Sequence, residues 1–315
     1  MNTKSLSPLF LALCAAPAAL YAGNLSPEQG RAILAAHQDS VLPFYAVVNS
    51  SASAGGRSMP GREQTTRGVG VVLTDDGLIV TALSSIDPAS IMNGQKIATA
   101  NGRVELNVVT QIKELKIVMP DGLEISAGVV MKDTDLDLAF FRPKAGNEDA
   151  KDAKFHPIDL TASGPAEALD DVLLVNRLGK AYSYQPSGAI SEVTAKTEKP
   201  RPCYHVIAAS GGAPVFTIDG KLLGIGANRK PPGDDPTDDP RTRAAEMMVV
   251  LPAAEILRTA EQAKKAPAPT EDAPSEPEAK PDGKGEKPEA KEGAAAAKPE
   301  GAPKAEGEAK PEKAQ

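Results

Sequence analysis

Ser210 is the residue of this 315-residue chain whose surroundings best suit nucleophilic chemistry. It lies in the segment Ala208-Ala209-Ser210-Gly211-Gly212-Ala213-Pro214, between two apolar runs that have the composition of β-strands. A serine hydroxyl attacks a carbonyl readily only when a neighbouring group accepts its proton. The presence or absence of such a base therefore decides what chemistry the chain can perform.

The chain has three histidines, and none has an obvious catalytic relation to Ser210. His205 lies on the same predicted strand as Ser210, and the odd separation between them places their side chains on opposite faces. His37 falls on a predicted helix and His156 in a polar link, where we expect ordinary surface residues. Cys203 has no neighbouring base in the sequence, so we expect a small buried thiol rather than a nucleophile.

Two series of short segments rich in β-branched residues must position these side chains. Turn signals such as Asp75-Asp76-Gly77 separate the segments, and a polar stretch over 143–157 separates the two series. Many short strands with helices only at the two ends predict an all-β barrel or sandwich. The predicted strands are Val41–Val48, Val69–Thr74, Leu78–Thr81, Val104–Val109, Ile112–Met119, Ile125–Lys132, Leu136–Phe141, Val172–Val175, Tyr182–Ile190, Tyr204–Ala208, Pro214–Ile218, Leu222–Ala227 and Met247–Leu251.

The two helices have recognisable starts. Ser26 as N-cap, Pro27 and Gln29 predict a leading helix that runs to about Asp39, and Pro252 begins an apolar helical pattern after the last strand.

Two long segments are predicted to be loops, Ser50–Arg67 and Asn228–Arg243. The second is acidic but lacks the Asp-x-Asp-x-Asp-Gly spacing of a calcium loop, so we expect a solvated surface loop.

The first residues predict export. Lys4 precedes the apolar run Leu9–Leu20, which is too short for a comfortable membrane span, and small residues near Ala22 suit signal peptidase. Cleavage there places the protein in the periplasm or outside the cell. Removal of Cys14 leaves Cys203 as the only cysteine, so no intramolecular disulfide is expected.

Composition excludes several classes of function. A net charge of -7 gives no basic footprint for nucleic acid, and the histidines form no cluster typical of a zinc site. We therefore expect no cofactor, no metal, no nucleic acid and no membrane span. From residue 263 the chain consists mainly of Ala, Pro, Glu, Lys and Gly, a composition typical of a disordered, passive linker.

Three segments, in the right order, resemble the HtrA-like (Deg-type) branch of the trypsin-like serine proteases. Gly68–Thr81 is similar to the Gly-x-Gly strand and hairpin that lead to that family's histidine. Ile117–Gly122 and Asp133–Phe141 are similar to the hairpin and strand that carry its aspartate. Ala208–Ala227 is similar to its nucleophile turn and following hairpin, and Met248–Pro252 to its strand-to-helix ending.

The resemblance extends from about Val41 to Gln262 and implies two packed antiparallel β-barrels with the active-site cleft between them. It implies that Ser210 holds the nucleophile position and Asp137 the aspartate position. It also implies that Ala208-Ala209-Ser210 forms the loop whose amides stabilise the oxyanion.

The sequence departs from the family pattern at the base and in this loop. Ser84 occupies the histidine position, and a neutral hydroxyl cannot replace an imidazole as a base near pH 7. Ala208 stands where the family usually has glycine, and Ala213 is inserted before Pro214. We expect the Cβ at 208 to hinder the backbone conformation that points an amide at an oxyanion.

We interpret the chain as an inactive homologue that acts as a scaffold and holds an extended peptide or protein segment in the interbarrel cleft. One alternative is an active serine endopeptidase that uses Ser210 with a base from a non-standard position. Another is a structural envelope protein without a ligand. We expect no PDZ module.

The predicted parts are a signal peptide (1–22), a leading helix (23–40), an N-terminal barrel (41–143), a C-terminal barrel with closing helix (144–262) and a disordered tail (263–315).

Overall fold

A computed structural model describes residues 24–99, 102–229 and 248–270. The predicted signal peptide over 1–22, most of the acidic loop and the tail beyond residue 270 lie outside the described residues.

The first half of the chain forms a closed antiparallel barrel, as predicted. Its strands follow one another in the order β1-β2-β3-β7-β6-β5, pairing of β1 with β5 closes the ring, and β4 adds to the free edge of β5. The strands are β1 Val41–Ala54, β2 Arg57–Val72, β3 Ile79–Ala82, β4 Lys96–Thr99, β5 Gly102–Val118, β6 Glu124–Asp133 and β7 Leu138–Pro143.

The second half forms another closed barrel, with strand order β10-β13-β12-β11-β8-β9. The strands are β8 Asp171–Arg177, β9 Pro186–Thr197, β10 Cys203–Val206, β11 Pro214–Thr217, β12 Leu222–Asn228 and β13 Met248–Pro252. Two packed antiparallel barrels confirm the predicted fold class.

Both predicted terminal helices form, as α1 Pro27–His37 and a final helix, α4, Ala253–Lys265. Ser26 and Gln29 form the expected capping box at the start of α1. The expectation of terminal helices only was wrong. Single helical turns, α2 Leu83–Ile86 and α3 Ala89–Met92, follow β3 directly.

The alternation of side chains along the strands explains why both halves close and then pack together. On β7, Phe141 points into the first barrel with Phe44, whereas the adjacent Phe140 belongs to the core shared with Phe216 and Ile225 of the second barrel. All six residues of β7 are buried, because one face fills a barrel and the other faces its neighbour. This shared core fixes the cleft between the barrels.

The segment Ser50–Arg67, predicted to be a loop, is instead most of a long β-hairpin. The strands β1 and β2 continue to a two-residue turn at Gly55-Gly56, where both glycines have positive φ, 55° and 77°. Such turns match the twist of hairpin strands. The second strand of the hairpin is exposed, and the half-buried end of β1 packs only the small side chains of Ala52 and Ala54 on an apolar cluster. This weak apolar alternation is why the pattern was missed.

Some boundaries also differ from the prediction. β5 is one strand where two were expected, because its pairing with β1 extends from Leu106 to Ile117 and continues across a bulge at Lys113. β9 lies further along the chain than the predicted Tyr182–Ile190, and β10 ends at Val206. The final helix continues past residue 262, with Ala263 fully buried, and Pro269 accepts a hydrogen bond from the amide of Ala145 at 2.8 Å.

Candidate functional site

The site is assembled from both barrels by short connections between buried strands. β3 ends at Ala82, and the helical turn α2 that follows carries Ser84 and Ser85. Asp137 immediately precedes β7, the strand that pairs with β3, and its carbonyl accepts a hydrogen bond from the amide of Leu83 at 2.8 Å. Strand pairing therefore brings Asp137 beside Ser84 although they are far apart in sequence.

Ser84 and Asp137 form a closed hydrogen-bond network with Asn228. The Asp137 carboxylate accepts from the Ser84 amide (2.7 Å), the Ser84 hydroxyl (2.8 Å) and the Asn228 amide (2.6 Å). The side-chain amide of Asn228 in turn donates to the Ser84 hydroxyl oxygen at 2.8 Å. The Ser84 hydroxyl is thus engaged both as donor and as acceptor, so it is held in place.

Asp137 is buried at 4% exposure and has a left-handed backbone conformation, with φ 54°. Burial raises the pKa of its carboxyl, while the hydrogen bonds from Asn228 and Ser84 lower it, and the net direction is upward. Three donors point at the carboxylate, an arrangement that suits its ionised form. The carboxylate therefore orients Ser84 and Asn228.

Ser210 has a different partner. Its hydroxyl oxygen accepts a hydrogen bond from the side-chain amide of Asn176, on β8, at 3.0 Å. The Asn176 side-chain oxygen accepts from the Arg177 amide at 2.8 Å, which fixes the orientation of the amide group. The side chain bonded to Ser210 is therefore a hydrogen-bond donor and not a proton acceptor.

The loop around Ser210 is held by β12. Gly212 donates from its amide to the Gly226 carbonyl (2.8 Å), and Gly226 donates to the Ala213 carbonyl (2.9 Å). Ala213, the inserted residue, is therefore part of this pairing. A Cβ on Gly226 would lie 2.0 Å from the Ser210 carbonyl oxygen, so only glycine permits this approach.

Ala208 has a positive φ of 59°, a left-handed backbone conformation that is strained for a residue with a Cβ. The strain of about 1–2 kcal/mol is held by the surrounding contacts. Neither the Ala208 amide nor the Ser210 amide donates a hydrogen bond to any other described residue. Between them, Ala209 donates to the Val206 carbonyl at 3.3 Å.

None of the three histidine side chains, all in the described part, is hydrogen-bonded to Ser210. His37 stacks on Phe216, with ring centroids 4.3 Å apart. The His205 ring nitrogen Nε2 lies 3.4 Å from the Thr197 hydroxyl, and His156 is exposed. Cys203 is a free, buried thiol.

A cleft of about 360 Å³ lies beside Ser210, in the size range of ligand pockets. Phe44 and Ser85 line it from the first barrel, and Asn176, Tyr184 and Ser210 from the second. A separate cavity of about 280 Å³, which Leu73, residues 157–161 and α4 line, contains none of these residues.

Within the described ranges, no group of three or more His, Cys, Asp or Glu side chains could hold a metal ion. In the same ranges, no helix has the length and apolar character needed to cross a membrane.

A cleft between two closed antiparallel barrels, with Ser210 in its lining and Asp137 buried on the connection before β7, defines the chymotrypsin-fold class of protease homologues. The sequence profile described as "Trypsin-like peptidase domain" matches residues 68–225, half of the chain, and the protein belongs to this family. A comparison with curated proteins gave no significant match.

The sequence interpretation named Ser84, Asp137 and Ser210 but missed Asn176 and Asn228. The structure joins Ser84 to Asp137, whereas Ser210 bonds to Asn176. In the sequence, Asn176 follows the apolar run Val172–Val175 and Asn228 follows the apolar run Leu222–Ala227, and neither position carries a motif. Only pairing of the strands reveals their partners.

Proposed function

We propose that this chain is an exported, HtrA-like member of the trypsin-like peptidase family that no longer cleaves peptide bonds. It acts as a scaffold that holds an extended peptide or protein segment in the interbarrel cleft. The observation that carries the proposal is the hydrogen bond from the Asn176 amide to the Ser210 hydroxyl. A donor at this place cannot accept the proton that a nucleophilic serine must lose.

The surroundings of Asp137 support the same interpretation. In this family an imidazole lies between the aspartate and the nucleophile. Here the Asp137 carboxylate accepts a hydrogen bond from the Ser84 hydroxyl instead. The side-chain amide of Asn228 donates a further hydrogen bond to the same hydroxyl oxygen. We infer that Ser84 replaces the histidine of the family and that the aspartate has kept a structural role.

Peptide binding follows from what the site retains. The cleft has space for a ligand, and the amides of Ala208 and Ser210 make no hydrogen bond to another described residue. Such amides can donate to the carbonyl oxygen of a bound segment without any step of covalent chemistry.

A labelling experiment tests the loss of activity. Purified protein is treated with a fluorophosphonate probe and, separately, with fluorescent casein, with Ser210→Ala as the matched control. We expect no labelling and no hydrolysis beyond that of the control. Labelling at Ser210, or casein hydrolysis that Ser210→Ala removes, would establish the alternative of an active endopeptidase.

Export is tested by sequencing the N-terminus of protein recovered from its native cell fractions. We expect cleavage after Ala22 and recovery outside the cytoplasm. An intact N-terminus in the cytoplasmic fraction would contradict this part of the proposal.

A further inference from the structure

We propose that the cleft beside Ser210 selects an acidic side chain, aspartate or glutamate, of the segment that it binds. This inference rests on the proposed peptide-binding function and adds the chemistry of the ligand.

The charges that line the cleft are all positive. Among the described residues, those that line it include Arg67 and Arg177 but no aspartate or glutamate. The whole chain has a net charge of -7, so this local excess of positive charge runs against the general composition. A cleft lined by one sign of charge attracts ligands of the other sign.

Arg177 supplies a buried charge that its neighbours compensate only weakly. Its side chain is 6% exposed, and its nitrogens donate to the carbonyls of Gln38 (2.6 Å), Val41 (2.9 Å) and Tyr184 (3.3 Å). Carbonyl groups satisfy hydrogen bonds but carry no net charge. The nearest carboxylate oxygen, of Asp39, is 3.8 Å away on a side chain that is 55% exposed.

The titration behaviour of Arg177 agrees with this picture. Burial lowers the pKa of the guanidinium, and Asp39 only partly restores it. A second negative charge near the cleft would therefore stabilise the buried cation.

Arg67 is the group that can contact the ligand directly. It lies on β2 opposite Tyr45 and is exposed. No carboxylate in the described part of the chain forms an ion pair with it, and its planar guanidinium can hold a carboxylate through two parallel hydrogen bonds. The Ser85 hydroxyl, which lines the same cleft and donates to no described residue, offers a further donor.

The experiment uses the full chain and fluorescein-labelled nonapeptide pools that are acetylated at the N-terminus and amidated at the C-terminus. All positions except one are random mixtures of uncharged residues, and the fixed central position is glutamate in one pool and glutamine in the other. Fluorescence anisotropy measures binding. We expect the glutamate pool to bind about ten-fold more tightly at low ionic strength and the preference to shrink at high salt.

Two arginine variants locate the effect. Arg67→Ala should abolish the preference for glutamate, so that this variant binds the two pools equally. Arg62→Ala removes an exposed arginine from the same strand, outside the cleft lining, and should keep the preference. Circular dichroism verifies that both variants fold.

The outcomes separate this inference from the function on which it rests. Equal binding of the two pools overturns acidic selection and leaves peptide binding intact, whereas failure of both pools to bind overturns both proposals. A glutamine pool with a free C-terminal carboxylate forms a third arm. If it binds as tightly as the amidated glutamate pool, the cleft recognises a chain end, and the assignment to a side chain is wrong.

Discussion

The side-chain amide of Asn176 donates a hydrogen bond to the Ser210 hydroxyl oxygen at 3.0 Å. Arg177 fixes the orientation of that amide by donating from its own backbone to the other end of the group. A lone pair of the serine oxygen is therefore occupied by a donor. Ser210, which holds the nucleophile position of the family, thus takes part in a hydrogen bond that links β8 to the Ser210 loop.

The energy of this link can be measured with a double-mutant cycle. We expect the effects of Asn176→Ala and Ser210→Ala on the free energy of unfolding to be non-additive, with a coupling energy of about 0.5–1.5 kcal/mol. This is the usual net value of a hydrogen bond. Urea denaturation of the wild type, both single variants and the double variant gives the coupling. Additive single effects would show that the hydrogen bond contributes nothing.

Ser84→Ala should destabilise the protein by about 1.5–3 kcal/mol, because it removes a donor from a buried carboxylate and an acceptor from Asn228. Ser85→Ala is the matched control, since this neighbouring hydroxyl donates to no described residue, and we expect a change within about 0.5 kcal/mol. Chemical denaturation compares the two. Equal losses of unfolding free energy in the two variants would show that the hydrogen bonds of Ser84 do not stabilise the protein.

Ser84→His should not restore peptidase activity. The side-chain amide of Asn228 already occupies the space beside Ser84, and Ser210 stays bonded to the amide of Asn176. Casein hydrolysis, measured with and without Ser210→Ala in the same background, checks this. Serine-dependent hydrolysis by the histidine variant would mean that the base alone had been lacking.

Gly212→Ala should destabilise the protein by about 2–5 kcal/mol, since a positive φ of 80° is combined with a clash. The added Cβ would lie 2.2 Å from both the Thr81 hydroxyl oxygen and the Val69 carbonyl oxygen. Gly146→Ala is the control, because Gly146 has the same φ of 80° and no atom within 4 Å of the new Cβ. We expect only the conformational cost there, about 1–2 kcal/mol. Thermal unfolding compares the melting temperatures of the two variants. Equal shifts would show that the clash at Gly212 does not contribute to the destabilisation.

Stability should decrease at acid pH through His37. Burial lowers the pKa of this imidazole below its ordinary value of 6.5, although a hydrogen bond with the Gly220 backbone acts in the opposite direction. The unfolded chain then takes up the proton first, so the contribution is fully present above pH 6.5 and is lost as the pH falls through the folded-state pKa.

His37→Phe is the variant for this test, because it keeps an aromatic ring against Phe216 but cannot titrate. Free energies of unfolding at about pH 7.5 and about pH 5.5 should differ more in the wild type than in the variant. An identical pH dependence in both proteins would remove His37 from the explanation.

Strand alternation and turn residues are local signals, and from the sequence they predicted an all-β barrel or sandwich. The two barrels and the expected roles of Ser84, Asp137 and Ser210 came from the resemblance of three sequence segments to the trypsin-like proteases. The sequence also placed both terminal helices, since the capping box at Ser26 requires only residues three apart. It missed the long hairpin at Gly55-Gly56, where β2 is exposed and the partly buried face of β1 carries only Ala52 and Ala54, so the apolar alternation is weak.

Only the tertiary structure decided what these residues touch. Asn176 meets Ser210 because β8 pairs with β11, the strand that follows the Ser210 loop. Asn228 reaches Ser84 because the two barrels pack against each other. Hydrogen bonds between residues so distant in sequence depend on pairing and packing of whole elements, and no local pattern of residues encodes them.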